Sequence, residues 1–115
     1  MGIDKKGIAV PLKDVIDDFN YKDDGSNVHV FWDICARGLL QNWARDLLNQ
    51  KYPQKEPARF FSIGDCVRVT EEDLKLIPNY DADFDDDYLR ELVDDFRRKA
   101  TDAISKGYAV YYEAW

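Results

Sequence analysis

The segment of the chain best suited to bind something is an acidic stretch that also carries aromatic rings. Residues 80–88 read Tyr-Asp-Ala-Asp-Phe-Asp-Asp-Asp-Tyr, and Glu91, Asp94 and Asp95 follow. Carboxylates at this density can coordinate a cation, or they can stand where phosphates stand in the basic groove of a partner protein. A simpler interpretation is a solvated loop that caps a helix, since Asp is common at helix starts. The rings favour a functional role, because a loop kept only for solubility has no use for Tyr and Phe.

The spacing of these acids is in part that of a calcium-binding loop. Asp81, Asp83 and Asp85 match the first three alternating ligands of an EF-hand. The pattern then fails, because Asp86 replaces the glycine of the sharp turn and Leu92 replaces the bidentate Glu. We therefore predict no metal site and no cofactor.

Contact with another protein suits the segment better. Rings supply the desolvated anchors that dominate binding energy, and an acidic patch raises association rates by roughly 10 to 10³. Phe84 has a second interpretation, as a hydrophobic staple on the first turn of the helix that follows. The predicted partner-binding residues are Tyr80, Asp81, Asp83, Phe84, Asp85, Asp86, Asp87, Tyr88, Glu91, Asp94 and Asp95.

The charge of the chain is concentrated in the same region. The net charge is −7 at pH 7, whereas residues 65–95 alone hold twelve acidic and three basic side chains, a net −9. Such a field attracts basic partners. Direct binding of nucleic acid through this segment is disfavoured, because phosphate recognition requires Lys and Arg. The predicted partner is a basic protein, a nuclease or another nucleic-acid-binding effector.

The remaining reactive side chains favour structural roles. His29 is the only histidine, and its apolar neighbours indicate a satisfied position in the core or a strand. Cys35 and Cys66 have no CxxC spacing, which is typical of reduced, largely buried thiols. Glu71-Glu72-Asp73 could pair for acid–base chemistry, but their position after Thr70 favours helix capping. No catalytic residue is predicted, and the phosphate-loop, dinucleotide, zinc-protease and nucleophile-elbow motifs are all missing from the sequence.

Composition indicates an ordinary globular domain. The 115 residues are 45% hydrophobic and 34% charged, which predicts one folded domain over residues 1–115. Aromatic residues make up 14%, more rings than a small core readily hides, so some should be exposed. Since no leader segment and no apolar run of about 20 residues is visible, we expect a soluble cytoplasmic protein.

The N-terminal half predicts a short strand and two helices. Gly7–Val10 suits an edge strand, and Pro11 suits the start of an amphipathic helix of about ten residues. The segment 28–32 is consistent with either strand or helix. We predict one long core helix over about residues 30–50. The apolar positions that share its face are Phe31, Ile34, Cys35, Leu39, Trp43 and Leu47.

The C-terminal half predicts a hairpin, two helices and a strand. Gly64-Asp65 between two apolar runs, 59–63 and 66–69, is a hairpin signal. Thr70 followed by acids predicts a short capped helix that ends before Pro78. An acidic loop covers residues 79–87. A second helix follows from Tyr88, with Gly107 at its C′ position.

Residues 108–112 alternate like a strand that joins the hairpin. The predicted class is therefore α+β, with helices packed on one face of a small antiparallel sheet of three or more strands.

Three functions are consistent with these features. The favoured one is a small acidic inhibitor that blocks a basic nucleic-acid-handling protein, possible settings being an immunity protein or antitoxin, or a phage anti-defence protein of the anti-CRISPR or anti-restriction type. An alternative is an adaptor or self-associating module that uses an aromatic C-terminal edge strand. The aromatic residues of that strand are Tyr108, Tyr111, Tyr112 and Trp115. A carboxylate-dependent or metal-dependent enzyme is the third.

Overall fold

The structure is a computed structural model that describes residues 4–35, 40–52, 57–62, 64–77 and 87–114. Within these ranges the strands are β1 (Asp4–Pro11), β2 (His29–Cys35), β3 (Cys66–Val69) and β4 (Tyr108–Ala114). They form one antiparallel sheet in the order β2-β1-β4-β3. The helices are α1 (Gln41–Lys51), α2 (Glu71–Lys75) and α3 (Asp87–Ser105), with a 3-10 turn at Leu12–Asp14. The predicted α+β class is confirmed.

The three α-helices pack on one face of the sheet, which we call the helix-covered face. Its core is a group of rings: Phe96 lies 4.9 Å from Trp32 and 5.6 Å from Tyr112, and Trp43 lies 5.5 Å from Tyr112, centroid to centroid. All four side chains are buried. Aromatic contacts of this kind add about 0.5–1.5 kcal/mol per pair beyond area burial.

The opposite face of the sheet is covered by the chain between β1 and β2, and we call it the loop-covered face. Ile8 and Tyr111, paired across β1 and β4, are fully buried there. Val15 and Tyr21 of the covering segment pack against them. Both faces of the two inner strands are thus shielded. Among the described residues, no helix is long and apolar enough to cross a membrane.

The predicted long helix over residues 30–50 is correct from Gln41 onward and wrong for residues 30–35. Residues 29–35 form strand β2, and α1 begins at Gln41. The pairing of β1 with β2 shifts by one residue, so that Gly7 faces Trp32 and Ile8 faces Val30. Phe31 is the extra residue of this bulge, and it joins Trp32 against the helix-covered core. Because Phe31 and Trp32 both contact the same core, the apolar positions of this strand resemble those of a helix.

The predicted helix from Pro11 to Phe19 is also wrong. Helical structure ends after one 3-10 turn, and the chain doubles back so that Val15 pairs with Tyr21. The carboxylate of Asp17 accepts a hydrogen bond from the backbone N–H of Phe19 at 2.7 Å. Short polar side chains compete with helix formation in this way.

The predicted hairpin between residues 59–63 and 66–69 is wrong as well. β3 pairs with β4, and Arg59–Ser62 lies outside the sheet; Ile63 falls outside the described residues. Gly64 does turn the chain, with a φ of 92° that suits glycine. The partner strand came from the distant C-terminus, and residues 7–10 form part of the inner strand β1, not the predicted edge strand.

The later helices are predicted correctly. Thr70 and Asp73 form a full capping box at the start of α2. α3 begins one residue before the predicted position, and Gly107 adopts a φ of 90° after its last turn. β4 extends the predicted strand to Ala114.

Candidate partner-binding surface

Helix α3 positions the described part of the predicted surface. Its apolar positions Val93, Phe96 and Ala100 are buried against the sheet, which fixes the rotation of the helix about its axis. The indole N–H of Trp32 donates to the backbone oxygen of Leu92 at 3.0 Å. This bond anchors the N-terminal half of α3 to β2. The face opposite the core is thereby directed outward.

That outward face carries an open depression, which we call the α3 hollow. It encloses about 430 Å³. Among the described residues it is lined by Tyr88, Glu91, Leu92, Asp94, Asp95 and Arg98. Tyr88 is 65% exposed although it follows the helical spacing of the core residues. The hollow therefore combines an accessible ring, an aliphatic side chain and three carboxylates.

The structure brings four of the predicted partner-binding residues together at this hollow: Tyr88, Glu91, Asp94 and Asp95. Asp87 is the first residue of α3. The other predicted members lie outside the described residues: Tyr80, Asp81, Asp83, Phe84, Asp85 and Asp86. These four described side chains line one surface, and their role in partner binding stays a prediction.

The carboxylates of the hollow differ in how far basic residues of α3 neutralise them. Asp95, 29% exposed, is bridged by Arg98 at 2.5 Å and by Lys99 at 3.1 Å. Asp94 is 73% exposed and has a longer contact of 3.4 Å with Arg97. Helical neighbours at i+3 and i+4 meet in this way, so the pairs were readable from the sequence. The predicted set of partner-binding residues leaves these pairs out and treats the three acids of the hollow as equivalent.

Glu91 differs from the other two acids of the hollow. Its side chain is exposed, and within the described part of the chain it makes no ion pair. It lies one turn from Tyr88 on the same side of the helix. Glu91 and Tyr88 are therefore the two groups of the hollow that a cationic, partly apolar ligand group would meet first.

The C-terminal strand offers no edge for a partner. β4 lies between β1 and β3, and the side chains of Tyr111 and Tyr112 are 0% exposed. The prediction of an aromatic edge strand is wrong for these two residues, because two sheet partners and two cores enclose them. Tyr108 is half-buried, and Trp115 lies outside the described residues.

The histidine lies on a strand, one of the two positions that the sequence favours. His29 begins β2 and is exposed, with its ring edge-on to Tyr108 at 6.3 Å between centroids. Cys35 ends β2, so its predicted place on a long core helix is wrong. The residues next to His29 resemble core residues because β2 is an edge strand with only one well-covered face.

The surroundings of the Cys66 thiol favour its protonated form. Burial raises its pKa far above the usual value, and the nearby carboxylate of Glu113 raises it further. The hydroxyl of Tyr21 donates to Glu113 at 2.8 Å. A protonated thiol is a poor nucleophile, so these surroundings do not favour a catalytic role for Cys66.

The acids after Thr70 serve the helix start, as predicted. The carboxylate of Asp73 accepts from the Thr70 backbone N–H at 2.9 Å and from Lys51 Nζ at 2.6 Å. Glu71 and Glu72 are exposed. Within the described ranges, no three His, Cys, Asp or Glu side chains are grouped so as to hold a metal ion.

Comparison of the chain with protein-family models, with curated proteins and with solved structures finds no match.

Proposed function

We propose that the chain is a stoichiometric protein inhibitor that blocks a basic, nucleic-acid-handling protein. The observation that carries this proposal is the grouping of Tyr88, Glu91 and Asp94 around one open hollow. The ring is 65% exposed, and the Asp94 carboxylate is 73% exposed. An accessible ring among carboxylates is the composition expected of a surface that meets cationic side chains next to an apolar one.

Inhibition would follow simply because the bound chain occupies the nucleic-acid groove of its partner. The carboxylates of the hollow, with those of the acidic segment that precedes α3, take the places of nucleic-acid phosphates in the partner's basic groove. Tyr88 provides the anchor that loses its water on binding. The net charge of −7 accelerates the encounter, since electrostatic steering raises association rates by roughly 10 to 10³. An immunity protein or antitoxin, and a phage anti-defence protein, would both work in this way.

The residues of the hollow are expected to contribute unequally to the binding energy. Tyr88 and Glu91 should matter most, because the ring is exposed and the Glu91 carboxylate has no ion pair in the described part of the chain. Removing an anchor of this kind costs about 2 kcal/mol or more in binding, close to a thirtyfold loss of affinity. Asp95 should matter little, because Arg98 and Lys99 already bridge it.

The experiment is quantitative affinity capture from the native host followed by mass spectrometry. Three baits are compared: the wild type, the Tyr88→Ala/Glu91→Gln double variant, and the matched control Asp102→Asn. Asp102 lies on the same helix, and its carboxylate is 60% exposed. A basic nuclease or nucleic-acid-binding protein should be retained by the wild type and the control, and lost with the double variant.

The partner identified in this way is then purified and titrated at about 50 mM and about 200 mM salt. Affinity should fall with salt, because the contact is largely ionic. Replacing Asp85, Asp86 and Asp87 by Asn should weaken binding further. Captured proteins that are not basic, or a basic partner whose affinity ignores all these substitutions, would rule the proposal out.

A further inference from the structure

Arg59 and Phe60 form a small projection, which we call the knob. Phe60 is 67% exposed, the highest value among the large apolar side chains described, and Arg59 beside it is exposed as well. The next residue, Phe61, is 1% exposed and lies 5.5 Å from Tyr112 in the helix-covered core. Of two consecutive phenylalanines, one is therefore buried and the other directed into water.

The backbone of the knob is held on both sides by side chains of α1. The Asn49 amide exchanges two hydrogen bonds with the backbone of Ala58, at 3.0 and 2.9 Å. The Gln41 amide donates to the backbone oxygen of Phe61 at 2.8 Å. Gln41 and Asn49 are two helical turns apart, so the segment runs along one stripe of α1. These bonds fix the backbone on both sides of Phe60.

An exposed Phe on a fixed backbone, beside an Arg, is suited to binding. Fixing the backbone in advance removes most of the entropy cost of ordering it in a complex. Within residues 57–62 the charge is purely positive, since Arg59 is the one ionisable side chain of the segment. The complementary surface must therefore offer a cavity for a ring next to a carboxylate.

The α3 hollow has this composition. Tyr88 and Leu92 can receive the ring of Phe60, and Glu91, without an ion pair in the described chain, can receive the guanidinium of Arg59. Its volume of about 430 Å³ lies within the range of sites that enclose small groups. Phe60 and Tyr88 are 67% and 65% exposed, so knob and hollow do not cover each other within one molecule.

We propose that copies of this chain associate head to tail, with the knob of one copy seated in the α3 hollow of the next. Two different surfaces meet in such a contact, so it propagates into chains or closes into a ring. The net charge of −7 opposes approach, but at about 0.15 M salt this repulsion is screened beyond about 8 Å while the contact pair persists. The proposal stands without the proposed function, although a seated knob would exclude a partner from the hollow.

Sedimentation velocity from about 10 µM to about 1 mM protein tests the proposal, because weak contacts populate in this range. The knob variant is Arg59→Glu/Phe60→Ser, and the hollow variant is Tyr88→Ser/Glu91→Lys. Matched controls carry the same charge changes elsewhere: Lys13→Glu, at an exposed residue, and Asp102→Lys, at a 60% exposed carboxylate. Thermal unfolding confirms that each variant folds; if the knob variant melts early, Phe60→Ser alone replaces it.

The expected result is distinctive. The mean mass of the wild type and of both controls rises with concentration past that of two copies, whereas each variant alone stays monomeric. An equimolar mixture of the two variants stops at pairs, because it contains one intact knob and one intact hollow per pair. A monomeric wild type at about 1 mM, a variant that assembles like the wild type, or a mixture that stays monomeric overturns the proposal. The capture experiment measures retention of a basic host protein, whereas sedimentation of the purified chain measures self-association, so the two proposals can fail separately.

Discussion

The ring of Phe31 lies against Gly7, so close that a Cβ on Gly7 would stand 2.8 Å from Cε2 of Phe31. The same Cβ would approach Cε2 of Phe96 to 3.0 Å. Gly7 is in the inner strand β1, and its missing side chain gives the bulged Phe31 its place in the core. Space, not backbone conformation, requires the glycine here.

Gly7→Ala should therefore destabilise the protein by about 1–3 kcal/mol, the usual cost of overpacking a core. Urea unfolding of the purified variant measures this. Combining it with Phe31→Leu should recover part of the loss, because the smaller side chain can shift. A stabilising effect of about 0.5–1 kcal/mol, as expected for Ala in an unhindered strand, would contradict the close packing.

Asp73 should make stability depend on acid pH. Burial alone would raise the pKa of Asp73, but hydrogen bonds from Lys51 and Thr70 outweigh it and hold the pKa below its usual value. The stabilisation is therefore present above about pH 3.9 and is lost as the pH falls through the lower pKa of the folded state. Asp73→Asn should lower the free energy of unfolding by about 2–3 kcal/mol at neutral pH. It should also reduce the loss of stability that accompanies acidification. Urea unfolding between about pH 2 and about pH 7 measures both quantities; parallel curves for the two proteins would contradict the assignment.

Lys5 should make the stability of the folded protein depend on alkaline pH. It is 1% exposed, and its Nζ donates to Gln41 Oε1 at 3.0 Å and lies 5.5 Å above the ring of Phe61. Burial lowers the pKa of Lys5, and Asp65 opposes this shift in part. The unfolded chain then binds more protons between the lowered pKa and about 10.5, so this contribution to stability grows as pH rises.

Comparison with Lys5→Met isolates this effect. Tyr21, Tyr111 and Cys66, whose pKa values are raised, lose stabilisation at high pH, but they do so in both proteins. The stability of the wild type relative to Lys5→Met should increase from about pH 7 to about pH 10. A difference that stays constant would show that Lys5 titrates normally in the folded protein.

Tyr111→Phe should loosen the covering loop. The Tyr111 hydroxyl shares its one proton between the backbone oxygens of Asp17 and Asn20, at 2.6 and 3.1 Å, and so ties residues 15–21 to the sheet. Its removal leaves two acceptors without this donor and should cost about 1–3 kcal/mol. Hydrogen exchange at residues 15–21 should accelerate while exchange in α3 changes less. Uniform acceleration over both segments would mean that the bond is not a local tie.

Arg98→Gln/Lys99→Gln tests the charge pattern of the α3 hollow under the proposed function. Both residues bridge Asp95, so their removal exposes a further carboxylate to the partner. Association with the captured basic protein should become several-fold faster at low salt and converge with the wild type at high salt. Lys75→Gln/Lys106→Gln removes the same charge at more distant exposed sites and is the control. Equal acceleration by the control would attribute the effect to net charge alone.

Local sequence signals were sufficient where an element is stabilised mainly by its own residues. Thr70 and Asp73 cap α2 through bonds between near neighbours, and α3 carries its apolar period and its ion pairs within one segment. Tyr88 and Glu91 were predicted at one surface because helical spacing alone places them together. The pairing of Asp95 with Arg98 was equally local and was simply overlooked.

Signals failed where distant residues decide the conformation. Phe31 enters the core through a bulge that depends on Gly7, and no local pattern distinguishes that bulge from a helical period. Arg59–Ser62 lies outside the sheet: β3 pairs with β4, and Phe61 is buried against Tyr112. The prediction of an aromatic edge strand is likewise wrong for Tyr111 and Tyr112, because β4 is an inner strand of the sheet.

The sequence by itself determined the α+β class, the two C-terminal helices and the acidic character of the surface on α3, because periodicity, capping and charge are properties of neighbours along the chain. Tertiary structure alone decided the strand order, the bulge at Phe31 and which of the two rings, Phe60 or Phe61, faces water. Those outcomes depend on competition among distant segments for the same two sheet faces, and pairing energies across the sheet, not local preference, settle that competition.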